Sequence, residues 1–530
     1  MFYSVLYPDE ASYNVPRNKE IPAYFIDLNL DQIFKSILMS KQEYDLGEYF
    51  YTPVSDRKVL EYRKAVSRDL EDEEIKKFFA DFSAKLFLIG EYIKKSGEEL
   101  SERMYHGKAL DDGVFIKRGK LMQYAGMYCD SIKDFNEKAK QLVEEGRIKS
   151  EGLKGFVNYL KVYESDPKFG GFSRDIDELR DKFKGLHYCM YIRQDNIRVS
   201  RYEQEEDISG KVLELFKRFK PVSNKTYLQQ FSEAPLSTDN ENQVLKGLSK
   251  IFKSEFNELK KFCDKYSGFV DETIVRFSRE IMVYLTWFNM MYDMKLFGLN
   301  FCYPELVDDP SKMFVTDGFD LALAREKRKS LITNSFEFKS PERIFVISGP
   351  NNGGKTTFAR QYGQLNYLGQ LGLPVPGSAA ATMNFDEIYT HFGIEEKNAS
   401  TDGKLQDDLV RLKEIIGKAT KRSIIIINEI FSSTTLTDAL TMGGYMMDSF
   451  AELGAPCLVV TFLDELASHG PETVSLMSNV YPDHPEKRTY KIIRKPADGL
   501  AFAIQIAGVH ELKYEQIMNR LKNKEHRKEQ

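Results

Sequence analysis

The apolar run Ile344-Phe345-Val346-Ile347 leads into Gly349-Pro350-Asn351-Asn352-Gly353-Gly354-Lys355-Thr356, and a helical pattern with Phe358, Tyr362, Leu365 and Leu368 on one face follows it. A glycine-rich turn between a buried strand and a helix is the setting of a phosphate-binding loop. Glycines let the backbone curl without Cβ clashes, their N–H groups face phosphate oxygens, and the helix N-terminus adds partial positive charge. In that reading Lys355 reaches the β- and γ-phosphates, and the Thr356 hydroxyl is a magnesium ligand. The alternative is a glycine-rich turn beside an ordinary surface lysine, and the flanking elements weigh against it.

The rest of the C-terminal part fits a sheet around that loop. Ile424 to Ile427 and Leu458 to Val460 lack polar alternation, as expected of parallel strands covered on both faces. The expected fold is an α/β P-loop domain with a mostly parallel sheet over 311–515, preceded by a long, mainly helical region over 1–310 and followed by a charged tail, 516–530. The second strand ends in Asn428-Glu429. A carboxylate just past a buried strand beside such a loop can orient the water that attacks a γ-phosphate, which assigns that role to Glu429. Asn428 stands where such domains usually carry a magnesium-holding aspartate. Its amide oxygen can still accept from a metal-bound water but adds no charge, so the metal is held less firmly. A plain Asn-Glu helix cap is the competing reading. Beyond the third strand, Phe462 occupies the place where a polar residue often senses the γ-phosphate. His469 is the nearest imidazole, in a position where a solvent-exposed loop histidine is common.

At 530 residues the chain calls for two or three domains. From 26 to 306 the pattern is mostly helical. Leu28, Leu30 and Ile33 open it, Pro53-Val54-Ser55-Asp56 marks a helix start ahead of Val59, Leu60 and Tyr62, and Phe78, Phe79, Phe82, Leu86 and Leu88 form an inward stripe. The stretch 188–202 is rich in β-formers and reads as a hairpin, and its Arg193, Arg198 and Arg201 suit either a solvated face or a polyanion. The polar stretch 221–242 reads as a loop, and 274–297 as a long helix ending at Gly298. The 75 basic and 80 acidic residues give a net charge of -5, so any DNA-binding surface is a local patch. Five scattered cysteines without a C-x-x-C pair argue against a disulfide framework or zinc site and fit a cytoplasmic protein. The N-terminus does not read as a signal peptide, and the longest apolar stretch, 281–292, is too short to span a bilayer, so no membrane association is expected.

With these residues in view, the sequence resembles the MutS family of DNA mismatch repair ATPases. Gly349 to Thr357 is close to the family's Gly-Pro-Asn-Met-Gly-Gly-Lys-Ser-Thr, and Asn428-Glu429-Ile430 stands at its Asp-Glu-Ile, with Ser433-Thr434-Thr435 after it. Asp498-Gly499-Leu500-Ala501 and Ala507-Gly508-Val509 look like its closing Tyr-Gly-Leu-Ala and Ala-Gly-Val. Asn334 matches the asparagine of its nucleotide-base pocket, and Leu331 falls roughly where an aromatic stacks on adenine. The resemblance is strong over 331–521 and faint before, where 28–31, 53–56 with Arg63, and 297–306 look like the family's core and lever helices. It implies ATP with Mg2+ held by Gly349 through Thr357 with Asn334 and Leu331, metal contacts from Thr356 and Asn428, a homodimer through the ATPase domains, DNA contact and a repair-protein partner.

Departures accompany the resemblance. It begins almost at the N-terminus, which implies a short relative without the mismatch-recognition domain. Phe462 replaces the family's switch histidine, and the Ser-Thr signature that reaches the partner's nucleotide falls either at Ser400-Thr401 or at Gly403-Lys404, with Asp407 and Asp408 following. Two functions stay open. One is a DNA-binding ATPase switch, slowed by Asn428 and Phe462. The other is a nucleotide-gated scaffold that binds ATP, barely hydrolyses it and grips protein rather than DNA.

Overall fold

The computed structural model describes residues 2–105, 114–193, 196–205, 238–393, 401–481, 484–497, 512–518 and 520. Helices of seven or more residues among them are α1 (Leu30–Ser40), α2 (Arg57–Asp69), α3 (Glu73–Tyr105), α4 (Val114–Glu144), α5 (Glu151–Glu164), α6 (Pro167–Lys184), α7 (Thr238–Ile251), α8 (Lys253–Lys265), α9 (Glu272–Lys295), α10 (Leu321–Lys327), α11 (Lys355–Gly369), α12 (Thr401–Lys418) and α13 (Leu436–Leu453). Strands β1 (Tyr188–Arg193) and β2 (Asn196–Arg201) precede β3 (Phe301–Cys302), β4 (Glu305–Val307), β5 (Phe314–Gly318), β6 (Asn334–Glu337) and β7 (Ile344–Ser348). After them come β8 (Val375–Pro376), β9 (Ala379–Met383), β10 (Ile388–Phe392), β11 (Ile424–Asn428), β12 (Cys457–Val460), β13 (Thr473–Tyr481) and β14 (His484–Arg494).

The chain divides into two compact units. One comprises Met1–Lys76, Ser150–Gly152 and Arg279–Gln530, the other Lys77–Lys149 and Leu153–Ser278. The first holds a six-stranded sheet in the order β10-β11-β12-β7-β13-β14, parallel except for the last pair. The three apolar runs are β7, β11 and β12, every residue of which is buried. Parallel strands covered on both faces need no polar alternation, which is why they stand out in sequence. A second sheet, β4-β9-β5-β6, mixes one parallel and two antiparallel pairings.

Met1–Lys76 groups with the C-terminal residues because its aromatics pack on α11. Phe25 lies 5.1 Å from the Tyr367 ring, Phe34 stacks on Phe50 at 5.1 Å, and Tyr367 donates its hydroxyl proton to the Phe50 carbonyl at 2.6 Å. Arg360 and Gln364 of α11 donate to the carbonyls of Asp27 and Leu28 at 3.0 and 2.8 Å. The helix is therefore buried on nearly every face, not on the single stripe expected from Phe358, Tyr362, Leu365 and Leu368. At Gly363 a methyl would lie 2.5 Å from Leu28 and 2.9 Å from Ile426, so this glycine sets how closely the N-terminal segment and β11 approach α11. The predicted helix start at 53–56 is realised in α2, where the Asp56 carboxylate caps the Lys58 N–H at 2.8 Å.

The second unit is helical apart from the hairpin β1–β2. Phe79, Phe82, Phe135, Phe156 and Phe277 form its aromatic core, with Phe156 stacked on Phe277. Leu88 is 60% exposed, so the inward stripe of α3 does not include it; Ile89 takes the buried position one residue on. In the hairpin, Arg201 donates to the Ile251 carbonyl at 3.0 Å and lies over the Phe252 ring, whereas Arg198 is exposed. Most of the predicted loop 221–242 lies outside the described residues, and its last five belong to α7. The Ser400 position and the closing segments 498–501 and 507–509 also lie outside them. None of the described helices is long and apolar enough to cross a membrane.

Candidate functional site

In a parallel sheet the C-terminal ends of all strands meet along one edge, and loops there can be brought together from distant sequence. β7 delivers the glycine-rich loop to that edge, β11 delivers Asn428-Glu429, and β12 delivers Thr461-Phe462. The loop curls through left-handed backbone at Gly349 (φ 109°), Asn352 (φ 56°) and Gly354 (φ 93°) before α11 begins at Lys355. The first bond inside α11 runs from the Phe358 N–H to the Gly354 carbonyl at 2.9 Å. The amides of Lys355, Thr356 and Thr357 thus stand at the open end of the helix, where backbone donors have no acceptor within it.

Lys355 is buried, and its ammonium donates back across the loop to the carbonyls of Gly349 at 2.8 Å and Pro350 at 3.1 Å. Burial pulls its pKa down, opposed by the nearby Glu429 carboxylate and reinforced by Arg488. The Phe462 ring lies 5.0 Å from the ammonium, a cation–π contact in the place of a hydrogen-bonding side chain. The Thr356 hydroxyl donates to the Asn428 amide oxygen at 3.2 Å. Among the described residues no group of three or more His, Cys, Asp or Glu side chains is placed to hold a metal. The hydroxyl and amide oxygens of Thr356 and Asn428 suit a hard divalent cation that keeps water and phosphate oxygens as its other ligands.

Glu429 is half-buried and itself left-handed (φ 61°), with its N–H donating to the Val460 carbonyl at 2.9 Å. Non-glycine residues in this region are uncommon and persist where the surroundings hold them. Asn334, at the start of β6, is buried, and both the nitrogen and the oxygen of its amide bond to β14. It donates to the Tyr490 carbonyl at 3.1 Å and accepts from the Ile492 N–H at 2.8 Å. Tyr490 is also left-handed (φ 56°), and its ring borders Gly354, so Asn334 shapes the strand that flanks the loop. Leu331 is half-buried in the segment before β6. His469 pairs with Asp448 of α13 at 2.8 Å.

Three contributors escaped the motif reading. Ser478 on β13 donates to the Gly353 carbonyl at 2.7 Å, and a Cβ on Gly353 would lie 2.0 Å from that hydroxyl, so glycine is required for the loop to close on the strand. Arg488 donates to the Asn351 carbonyl at 3.2 Å. Asp408, noted in sequence only as following the signature segment, bonds to His391 and to the N–H of Phe431. A lone polar residue in a strand or helix carries no periodic signal, so sequence assigns a role to none of the three.

Comparison with known proteins bears on the same residues. Residues 345–525 match the family model MutS domain V. The chain is 28% identical over 218 residues to the DNA mismatch repair protein MutS of Lactobacillus helveticus (strain DPC 4571), covering 40% of this chain and 25% of that protein. It is 23% identical over 410 residues to the DNA mismatch repair protein MutS of Fervidobacterium nodosum, covering 76% of this chain and 44% of that protein. For the namesake of Orientia tsutsugamushi (strain Ikeda) the figures are 26% over 205 residues, 38% and 23%. The matched stretches span less than half the length of each of these curated relatives. The domain match takes in β7 from Phe345 on, the glycine-rich loop and the Asn428-Glu429 strand end together, and the longer alignment extends the likeness over 76% of the chain, so the comparisons support a MutS-family protein.

Proposed function

We propose that the chain is an ATP-hydrolysing conformational switch that binds DNA and acts in mismatch repair or related DNA metabolism. The observation that carries this reading is the meeting, at one sheet edge, of a glycine-rich loop bearing Lys355, the Thr356–Asn428 oxygen pair and Glu429. Relatives named for DNA mismatch repair support the setting. The loop from Gly349 to Gly354 and the amides of Lys355 to Thr357 cradle the phosphates of ATP. The Lys355 ammonium exchanges its carbonyl partners for β- and γ-phosphate oxygens. Thr356 and Asn428 would hold Mg2+, which would supply charge neutralisation on those oxygens. Glu429 orients the attacking water and takes up its proton. Leu331 and Asn334 border the base. A homodimer through the ATPase domains and a repair-protein partner complete the reading, and a nucleotide that binds one posture better shifts the population toward it.

The test is steady-state ATP turnover of wild type against Glu429→Gln, with and without DNA. The expected result is a loss of about 10²-fold or more with nucleotide binding kept, and DNA affinity that falls as salt is added. Equal and negligible rates overturn the enzyme reading. In that event the second reading stands, a nucleotide-gated scaffold. The observation that favours it is the Phe462 ring against the Lys355 ammonium, together with an amide at Asn428 instead of a carboxylate.

A further inference from the structure

Glu429 sits in a turn that is unusual on both sides of Ile430. Glu429 has φ 61° and Phe431 φ 59°, and neither is glycine. A backbone of this kind keeps one conformation only when neighbouring groups fix it. β12 fixes its first end through the bond from the Glu429 N–H to the Val460 carbonyl. The other end is fixed by a side chain from α12: the Phe431 N–H donates to Oδ2 of Asp408 at 3.2 Å.

Asp408 is 3% exposed, and its second oxygen, Oδ1, lies 2.8 Å from Nε2 of His391 on β10. With Asp408 ionised, Nε2 carries the proton and donates it to the hydrogen bond. β10 is itself in register with β11, Phe392 opposite Asn428. One carboxylate therefore joins β10, α12 and the turn that presents Glu429. A buried carboxylate is costly unless its oxygens are hydrogen-bonded, and here each has a donor. The side chain of Phe431 cannot replace this bond, because a buried ring fixes position without fixing the direction of the peptide N–H.

We propose that Asp408, steadied by His391, is a positioning residue for ATP hydrolysis. It holds the left-handed turn and thereby aims the Glu429 carboxylate at the attacking water. This rests on the role assigned to Glu429 above. A consequence is that a displacement of α12 reaches Glu429 through the Asp408 carboxylate, alongside the apolar cluster that Leu412 and Ile415 share with Ile430 and Phe431.

The experiment combines a double-mutant cycle in the full chain with amide exchange. Asp408→Ala is expected to lower kcat for Mg-ATP by about tenfold or more, with nucleotide affinity within about threefold of wild type. In the Glu429→Gln background the same substitution is expected to lower the residual rate by less than about twofold, because its effect runs through Glu429. The Phe431 amide is expected to exchange with solvent about tenfold faster or more, while the amides of Ile425 to Ile427 keep their protection. Should Asp408→Ala not fold, Asp408→Asn and His391→Gln, which keep shape and part of the bonding, take its place in the cycle. Equal losses in both backgrounds, or an unprotected Phe431 amide with an unchanged kcat, overturn the proposal and leave the Glu429 reading intact. A wild-type rate no higher than that of Glu429→Gln overturns both.

Discussion

Gly353→Ala is the substitution for which the structure gives the clearest magnitude. The backbone at Gly353 is not left-handed, so an alanine is not excluded by its own conformation. The difficulty is a collision: the new methyl would stand 2.0 Å from Oγ of Ser478 and 3.0 Å from the Pro350 carbonyl oxygen. The hydroxyl must rotate away and give up its 2.7 Å bond to the Gly353 carbonyl. Losing that bond costs about 0.5–1.5 kcal/mol net, and the crowding that remains against backbone costs about 1–3 kcal/mol. The expected destabilisation is thus about 2–4 kcal/mol. Trp287 gives a selective readout. It is the one tryptophan in the chain, it is fully buried, its indole N–H bonds to the Pro374 carbonyl at 3.0 Å, and it lies in the same compact unit as the loop. Denaturant unfolding followed by its fluorescence reports that unit. Ser478→Ala alone should cost about 1 kcal/mol. The double substitution should cost less than the sum by about 1–2 kcal/mol, because the hydroxyl that collides is gone. Strict additivity, or a Gly353→Ala protein within about 0.5 kcal/mol of wild type, would refute the collision.

Two further outcomes follow from the same edge of the sheet. Burial lowers the Lys355 pKa below 10.5, so between that lowered value and 10.5 the unfolded chain holds a proton that the folded chain has released. Stability of the nucleotide-free protein should therefore rise with pH through that window relative to Lys355→Met, measured by Trp287 fluorescence; a relative fall would contradict the sign. Asn428→Asp puts a carboxylate beside the Thr356 hydroxyl and should lower the magnesium concentration needed for half-maximal ATP binding by about tenfold. In metal-free buffer it should destabilise the fold by about 1–3 kcal/mol, because position 428 is 8% exposed. An unchanged magnesium requirement would remove residue 428 from the metal's surroundings.

What could be read in the sequence was what repeats locally. The runs Ile344 to Ile347, Ile424 to Ile427 and Leu458 to Val460 became neighbouring parallel strands because an all-apolar run between turn formers has few other buried forms. The capped start of α2 at Asp56 depended on residues next to one another, and it too was legible. What depended on distant partners was not. The strands of the second sheet are three to five residues long, too short to establish an alternation, and β10 carries His391 and Thr390 among its apolar residues. The burial of α11 on nearly every face owes much to Phe25, Leu28 and Phe50, more than three hundred residues earlier, as the Tyr367 and Gln364 bonds show. At the candidate site, the loop and the Asn428-Glu429 pair follow from spacing alone. Ser478, Asp408 and the engagement of Asn334 with β14 follow from tertiary hydrogen bonds, which leave no trace in hydrophobic periodicity.

The most direct test is calorimetric titration of the full chain with ATP and magnesium, wild type against Lys355→Ala. Saturable binding by wild type, weakened by about 10²-fold or more in the variant through loss of a buried charge partner for the phosphates, is the expected result. No heat of binding from folded wild type, or equal affinity in the two proteins, would contradict a triphosphate site at the 349–356 loop.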